Sequence, residues 1–304
     1  RSRHRKDYNR CKNISAFEIM GDYWSLLIVR ELMYGASSWS AFSAVISIPP
    51  STLSNRLAKL VAAGCVVKSE QPKRAKGTYK LTEAGKGLFP ILIVAREWQL
   101  RWDLRPGAFV SPWVHECGAP LHCKTTCMAC YGEVLSQDIL FKGEALAHEH
   151  GGTLNHRTSN KINADLRTSN AKIAKITIFL GDQKALKVMD ALLRGYNRFD
   201  HIQKWTGLHP AVLSARLRKL QLLDLCVTRL YQDLPDRFLY ITSDAGKELI
   251  GLIVQLMEWD AGAKGAGSAR ALLHHKPCSH ALKVALICRA CEGHITYENT
   301  SVNL

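Results

Sequence analysis

A chain of 304 residues with 47% hydrophobic and 22% charged residues can build packed cores and is long enough for two domains, which excludes a disordered or low-complexity polymer. Its formal net charge of +15, with a sequence pI near 9.4, suits polyanionic partners, nucleic acid first and an acidic membrane surface second. The longest apolar run, Leu88 to Ala95, falls far short of the roughly 18 residues a membrane-spanning helix needs.

The chain opens on RSRHRKDYNR, which is basic but has no apolar h-region behind it, so nothing there directs export. It begins without Met, which leaves its true start open. Ten cysteines, several in C-x-x-C pairs and without an export signal, point to reduced thiols or metal and to a cytoplasmic setting. Trp24, Leu27, Ile28 and Leu32 then recur on one helical face, and Gly35 is placed to stop that helix. A short helix around Phe42 and Val45 follows. Pro50 opens the next, where a missing N–H is tolerated in the first turn. Leu53, Leu57, Leu60 and Val61 are its expected buried stripe, and Gly64 its end. CVVKSE and GTYKLT flank the polar turn QPKRAK and read as a hairpin. A last helix, from about Glu83 to Trp102, is apolar nearly all round and must be buried.

The same plan returns downstream. PSTLSNRLAKL from Pro50 and PAVLSARLRKL from Pro210 share a frame at an offset of 160, with Leu53 on Leu213, Arg56 on Arg216 and Lys59 on Lys219. Gly21-Asp22 matches Gly181-Asp182. One inserted residue later, Glu97-Trp98 matches Glu258-Trp259, and Cys117, Cys127 and Cys130 match Cys278, Cys288 and Cys291. So many preserved spacings mark an internal duplication. Three helices and a two-stranded hairpin make a winged helix-turn-helix, and its second turn helix is the one expected in the DNA major groove.

On the Pro50 helix, Thr52, Asn55, Arg56 and Lys59 are read as one polar face, with Ser51 beside them. Arg and Asn suit purine edges, and Thr and Lys suit phosphates or thymine methyls. Lys73, Arg74 and Lys76 in the first wing add counterion-releasing charge. The second copy keeps Arg216 and Lys219 but replaces Ser51, Thr52 and Asn55 by Ala211, Val212 and Ala215, and its wing carries Asp233 and Asp236 beside Arg237. The first copy is therefore expected to read DNA more strongly than the second.

These residues resemble the HxlR-type winged-helix transcription regulators of bacteria, relatives of the MarR group. The likeness rests on Cys11, GDYWSLLIVREL with Gly35 behind it, TLSNRLAKL, GCV, YKLTEAGK and the terminal Glu-Trp, and in the second copy on RGYNRFDHI from Arg194. It covers nearly all of Cys11 to Trp102 and Thr177 to Trp259. The resemblance implies a terminal helix that helps form a dimer. Here it implies an intrachain pseudo-dimer, with further homodimerisation open and the recognition helices in successive major grooves about 34 Å apart. It also marks Cys11 as a position where an oxidant-sensing thiol occurs. Arg10 and Lys12 would favour its thiolate, but an inert packed cysteine fits as well.

Each copy is followed by a cysteine motif, CGAPLHCKTTCMAC and CSHALKVALICRAC. Cys117, Cys127 and Cys130 with His115 (or Cys123), and Cys278, Cys288 and Cys291 with His275 (or His280), are read as two Cys₃His sets, one per module, for up to two structural zinc ions. Metal-free hairpins and a dithiol redox switch remain open. Cys65 and Cys226 read as core, and HEHGG at His148 as a solvated loop.

The expected fold class is mainly α with small β-hairpin wings, in two winged helix-turn-helix domains over 1–106 and 171–262. Cys-rich modules over 107–135 and 263–304 and a linker over 136–170 complete it. The expected function is sequence-specific recognition of double-stranded DNA by a transcription regulator, with no membrane partner. No H-x-E with a later P-C-x-x-C, no H-E-x-x-H, no phosphate loop and no nucleophile elbow supports an enzyme. Two rivals stay open: a zinc-dependent nucleic-acid enzyme, and an interaction module in which the second winged helix binds protein.

Overall fold

In the computed structural model, which describes residues 15–69, 77–103, 113–142, 174–264 and 273–302, the two copies fold alike. The first has α1 (Ala16–Met20), α2 (Tyr23–Met33), α3 (Trp39–Val45) and α4 (Pro50–Ala62), then the antiparallel pair β1 (Val66–Ser69) and β2 (Thr78–Leu81), then α5 (Glu83–Lys86) and α6 (Phe89–Trp102). After it come β3 (Trp113–His115), β4 (Cys123–Cys127) and β5 (Ile139–Phe141). The second copy supplies α7 (Lys175–Leu180), α8 (Gln183–Leu193), α9 (Phe199–Thr206), α10 (Pro210–Leu222), the pair β6 (Cys226–Asp233) and β7 (Asp236–Thr242), α11 (Asp244–Glu248) and α12 (Ile250–Lys264). Strands β8 (Leu273–His275), β9 (Val284–Cys288) and β10 (Thr300–Val302) close the order.

Local chemistry sets the helix starts. Ser15, Asp22, Ser38 and Thr82 each accept a backbone N–H at the head of a first-copy helix, and Asp182 and Ser243 do so in the second. Pro50 and Pro210 lie in the first turns of α4 and α10. The single helix expected from Glu83 to Trp102 is two, α5 and α6, with Pro90 in the first turn of α6, where a missing N–H is tolerated. In α4, Leu53, Leu57 and Leu60 are buried as expected, whereas Val61 is 37% exposed and stands at the rim of the stripe.

The copies pack through the helices expected to be buried. α6 lies against α12, α1 against α12 and α7 against α6. Trp98 donates its indole N–H to the Ala245 carbonyl at 2.8 Å, and Trp259 donates to the Ala84 carbonyl at 3.0 Å, so the seam is reciprocal. Where the copies meet head to head, Asp22 and Asp182 form an antiparallel bridge and the Gln183 N–H donates to the Gly21 carbonyl at 3.1 Å. A Cβ on Gly21 would come within 2.8 Å of the Gln183 Cα, and one on Gly181 within 2.9 Å of the Tyr23 Cα. Both glycines are thus needed for this close approach.

The Cys-rich regions follow their winged helices, but their ladders do not close within one copy. β4 pairs with β9 from Cys123↔Cys288 to Cys127↔Val284, β3 with β10 and β5 with β8, all antiparallel. Among the described residues, isolated bridges such as Val114 to Pro120 and His274 to Ala281, together with turn hydrogen bonds, stitch each region to itself. The first residues of the stretch expected as linker, Ser136–Asp138 and Ile139–Phe141, are a single 3₁₀ turn and strand β5.

Candidate recognition helices and metal centres

The face of α4 turned away from the core is set by its three buried leucines. Ser51, Ser54, Asn55, Ala58 and Lys59 are exposed and Thr52 is half-buried. Arg56 is not on that face. Its Nε lies 2.6 Å from the Asp22 carboxylate, a close ion pair without hydrogen-bond alignment. Asp22 meanwhile accepts the Ser25 N–H at 3.2 Å and the Ser25 hydroxyl at 2.6 Å. At about 100° per residue, Arg56 stands only about 60° from Leu53, so it flanks the core stripe rather than opposing it. The grouping of Arg56 with Asn55 and Lys59 on one polar face is corrected accordingly.

The second copy repeats this tether more strongly. Arg216 donates to Asp182 at 3.0 Å and Lys219 at 2.8 Å, and Lys219 is only 7% exposed. Burial alone would push the Asp182 carboxyl up, but the Lys219 and Arg216 charges and the Ala185 N–H more than offset it and hold the group below the usual aspartate range. Lys219, expected at DNA, therefore points into the protein, as a correction to that expectation. The outward residues of α10 are Ala211, Ser214, Ala215, Arg218 and Leu222. Arg218 was passed over in the sequence; its position on the wheel opposite Leu213, Leu217 and Leu220 marks it.

Of the wings, Lys73, Arg74 and Lys76 lie outside the described residues. The second wing exposes Asp233, Asp236 and Arg237 as expected, together with Val227, Leu230, Phe238 and a Leu234 that is 89% exposed.

The cysteine motifs converge on two four-residue clusters, and each draws on both copies. His115 and Cys117 meet Cys288 and Cys291; Cys127 and Cys130 meet His275 and Cys278. Within each cluster all four ligand atoms lie within 4.8 Å of one another. The sets read as one per module are thus crossed. The His115 Nδ1 is 3.3 Å from Cys117 Sγ and 3.4 Å from Cys291 Sγ. His275 Nδ1 is 3.3 Å from Cys130 Sγ and 3.5 Å from Cys278 Sγ, and Cys127 Sγ is 3.9 Å from Cys278 Sγ. Tetrahedral zinc with ordinary bond lengths sets such edges at about 3.6 Å for S···N and about 3.8 Å for S···S.

The knuckle turns are shaped for thiolates. The Ala129 N–H points at Cys127 Sγ at 3.5 Å and the Gly293 N–H at Cys291 Sγ at 3.4 Å. Tyr131 and Glu292, each directly after a C-x-x-C, take positive φ of 59° and 58°. The Cys278 thiol is lowered to about 6, first by the His280 backbone N–H and then by the side chains of His275, His280 and Cys130. The alternative ligands stand outside. Cys123 is buried in β4, where burial pushes its thiol up, and His280 accepts no place in the cluster, its Nδ1 lying 2.8 Å from the Cys278 carbonyl. Cys65 and Cys226 are buried as expected, and burial raises Cys226 to about 12. All nine cysteines among the described residues are unbridged. Cys11 and His148 lie outside the described residues.

Part of the chain is similar to known proteins. An uncharacterized HTH-type transcriptional regulator of Mycobacterium tuberculosis H37Rv is 34% identical over 128 residues, which is 41% of this chain and 80% of that protein. Its Mycobacterium bovis counterpart aligns to the same extent. An uncharacterized HTH-type transcriptional regulator of Bacillus subtilis 168 is 34% identical over 91 residues, 29% of this chain and 82% of its own. Each of these relatives is named as an HTH-type transcriptional regulator. The family model described as HxlR-like helix-turn-helix matches residues 19–105 and again 179–266, more than half of the chain, so this chain belongs to that family, in duplicate.

Proposed function

We propose that the chain is a DNA-reading transcription regulator whose two copies act as an intrachain pair, with the first copy the stronger reader. The observation that carries the asymmetry is the outward face of the two recognition helices. α4 presents Ser51, Asn55 and Lys59, whereas α10 presents Ala211 and Ala215, and the residue that corresponds to Lys59 is the buried Lys219. Asn55 suits an adenine edge, and Lys59 with Lys73, Arg74 and Lys76 of the wing suits phosphates. Arg56 and Arg216 support their helices from behind. Such a chain works in the bacterial cytoplasm, and its two Cys₃His clusters suit structural zinc.

Duplexes selected from a random pool by the whole chain, rebound after Asn55→Ala with Lys59→Ala and separately after Ser214→Ala with Arg218→Ala, test this reading. The first pair is expected to lower specific affinity by at least about tenfold and the second far less; equal losses overturn the asymmetry.

A second reading has its own observation. The exposed Val227, Leu230, Leu234 and Phe238 beside two aspartates suit a protein surface better than a phosphate backbone. In that case a footprint keeps its length when the second winged helix is altered.

A further inference from the structure

Beyond the presence of metal, the crossed ladders determine what metal would do. Each cluster is half built by each copy. The His-containing arm comes from β3 or β8, and the C-x-x-C knuckle from the turn after β9 or β4 of the other copy. β4 pairs with β9 directly between the two clusters, and both strands reach the seam helices, β4 against α6 and β9 against α12. Arg289, next to the ligand Cys288, donates to the Cys123 carbonyl at 2.9 Å and to Glu133 at 2.7 Å, so the region around each knuckle is already tied across the copies.

We propose that the two clusters are paired zinc clamps, each closed by ligands from both copies, and that their occupancy fixes the two recognition helices relative to each other. One Zn²⁺ per cluster takes three cysteine thiolates and one imidazole Nδ1, releasing the thiol protons to solvent. An in-module zinc hairpin would stiffen only its own copy. A crossed pair instead fastens copy to copy at two points flanking β4 and β9. The same seam continues through Trp98 and Trp259 to the Gly21 and Gly181 contact, where Asp22 and Asp182 hold Arg56 and Arg216 of the recognition helices. Metal therefore governs DNA affinity by holding the second recognition helix at the correct spacing from the first, which raises the effective concentration of the second contact. This part rests on the DNA-reading proposal above; the crossed ligand sets do not.

The test counts zinc in the whole chain by elemental analysis. Wild type is expected to hold two equivalents. Cys288→Ser with Cys291→Ser removes one, and adding Cys117→Ser removes no more, because all three serve one cluster. Cys117→Ser with Cys127→Ser, both in the first module, impairs both clusters. If the triple variant instead loses both ions while Cys127→Ser with Cys130→Ser and Cys117→Ser loses only one, the ligands are grouped by module and the crossed clamp is overturned. A wild type that takes up no zinc overturns it as well. Chelation of wild type needs no substitution. It is expected to weaken binding to the selected duplexes by about tenfold or more, with helical circular dichroism retained and affinity restored by Zn²⁺. Unchanged affinity of the chelated protein overturns the coupling to DNA while leaving the crossed sites. Failure of zinc-loaded wild type to bind any DNA overturns the reader itself.

Discussion

Arg56 on the recognition helix closes on Asp22 at 2.6 Å, and Asp22 belongs to the residue pair that bridges the two copies. The part-exposed Arg56 guanidinium therefore ties α4 to the seam. Arg56→Ala is expected to destabilise the fold by about 1–3 kcal/mol, the usual range for losing a charged partner, and to weaken all DNA sites alike. Asn55→Ala is expected to alter base preference with little change in stability. Denaturant midpoints and sequence selection separate the two; a changed base preference in Arg56→Ala returns that residue to the DNA.

The second-copy tether carries a pH signature. The Asp182 carboxyl is held below its ordinary value by Lys219 and Arg216, so the folded state binds its proton less readily than the unfolded chain does. Its stabilisation is fully present above the unfolded aspartate value near 3.9 and is lost as pH falls through the depressed folded one. Asp182→Asn leaves Lys219 buried without a counter-charge and is expected to cost about 3–5 kcal/mol at pH 7. The gap from wild type should narrow below about pH 4. A gap that stays constant with acidification refutes the assignment.

The reciprocal indole bonds make the seam testable from both sides. Trp98→Phe and Trp259→Phe each keep most of the buried ring but strand the Ala245 or Ala84 carbonyl. Each should cost about 1–3 kcal/mol in unfolding free energy. Because the two bonds are pseudo-symmetric, the losses should be similar; a loss confined to one shows that the copies do not share the load.

Much of this architecture was open to reading from residue order. Periodicity marks α4 and α10 because three leucines must share one side of a helix, and the repeat fixes the fold of the second copy from the first. The helical wheel, applied strictly, also places Arg56 beside Leu53 and Arg218 outward. The crossing of the cysteines was not legible. C-x-x-C spacing states that two thiolates can share an ion, but the duplication offers every knuckle two chemically equal His-Cys arms. Only the pairing of β4 with β9 across the copies chooses between them. Gly21-Asp22 and Gly181-Asp182 stood out as matched repeats, yet their role depends on which surfaces of the two copies meet.

The two clusters are alike in ligands but not in support. His115 turns its Nε2 toward the His294 carbonyl at 3.3 Å, which orients the ring so that Nδ1 faces the thiols. His275 Nε2 is buried and has no hydrogen-bond partner among the described residues. A ligating imidazole whose other nitrogen donates to a carbonyl is held in one tautomer and is the stronger ligand, and loss of such support ordinarily costs about 10–100-fold in metal affinity. The His275 cluster is therefore expected to release zinc first. Chelator competition should resolve two phases in wild type, with only the tight phase left in Cys130→Ser and only the weak phase left in Cys291→Ser. A single phase shared by both variants would show that the carbonyl contact at His115 contributes nothing to metal retention.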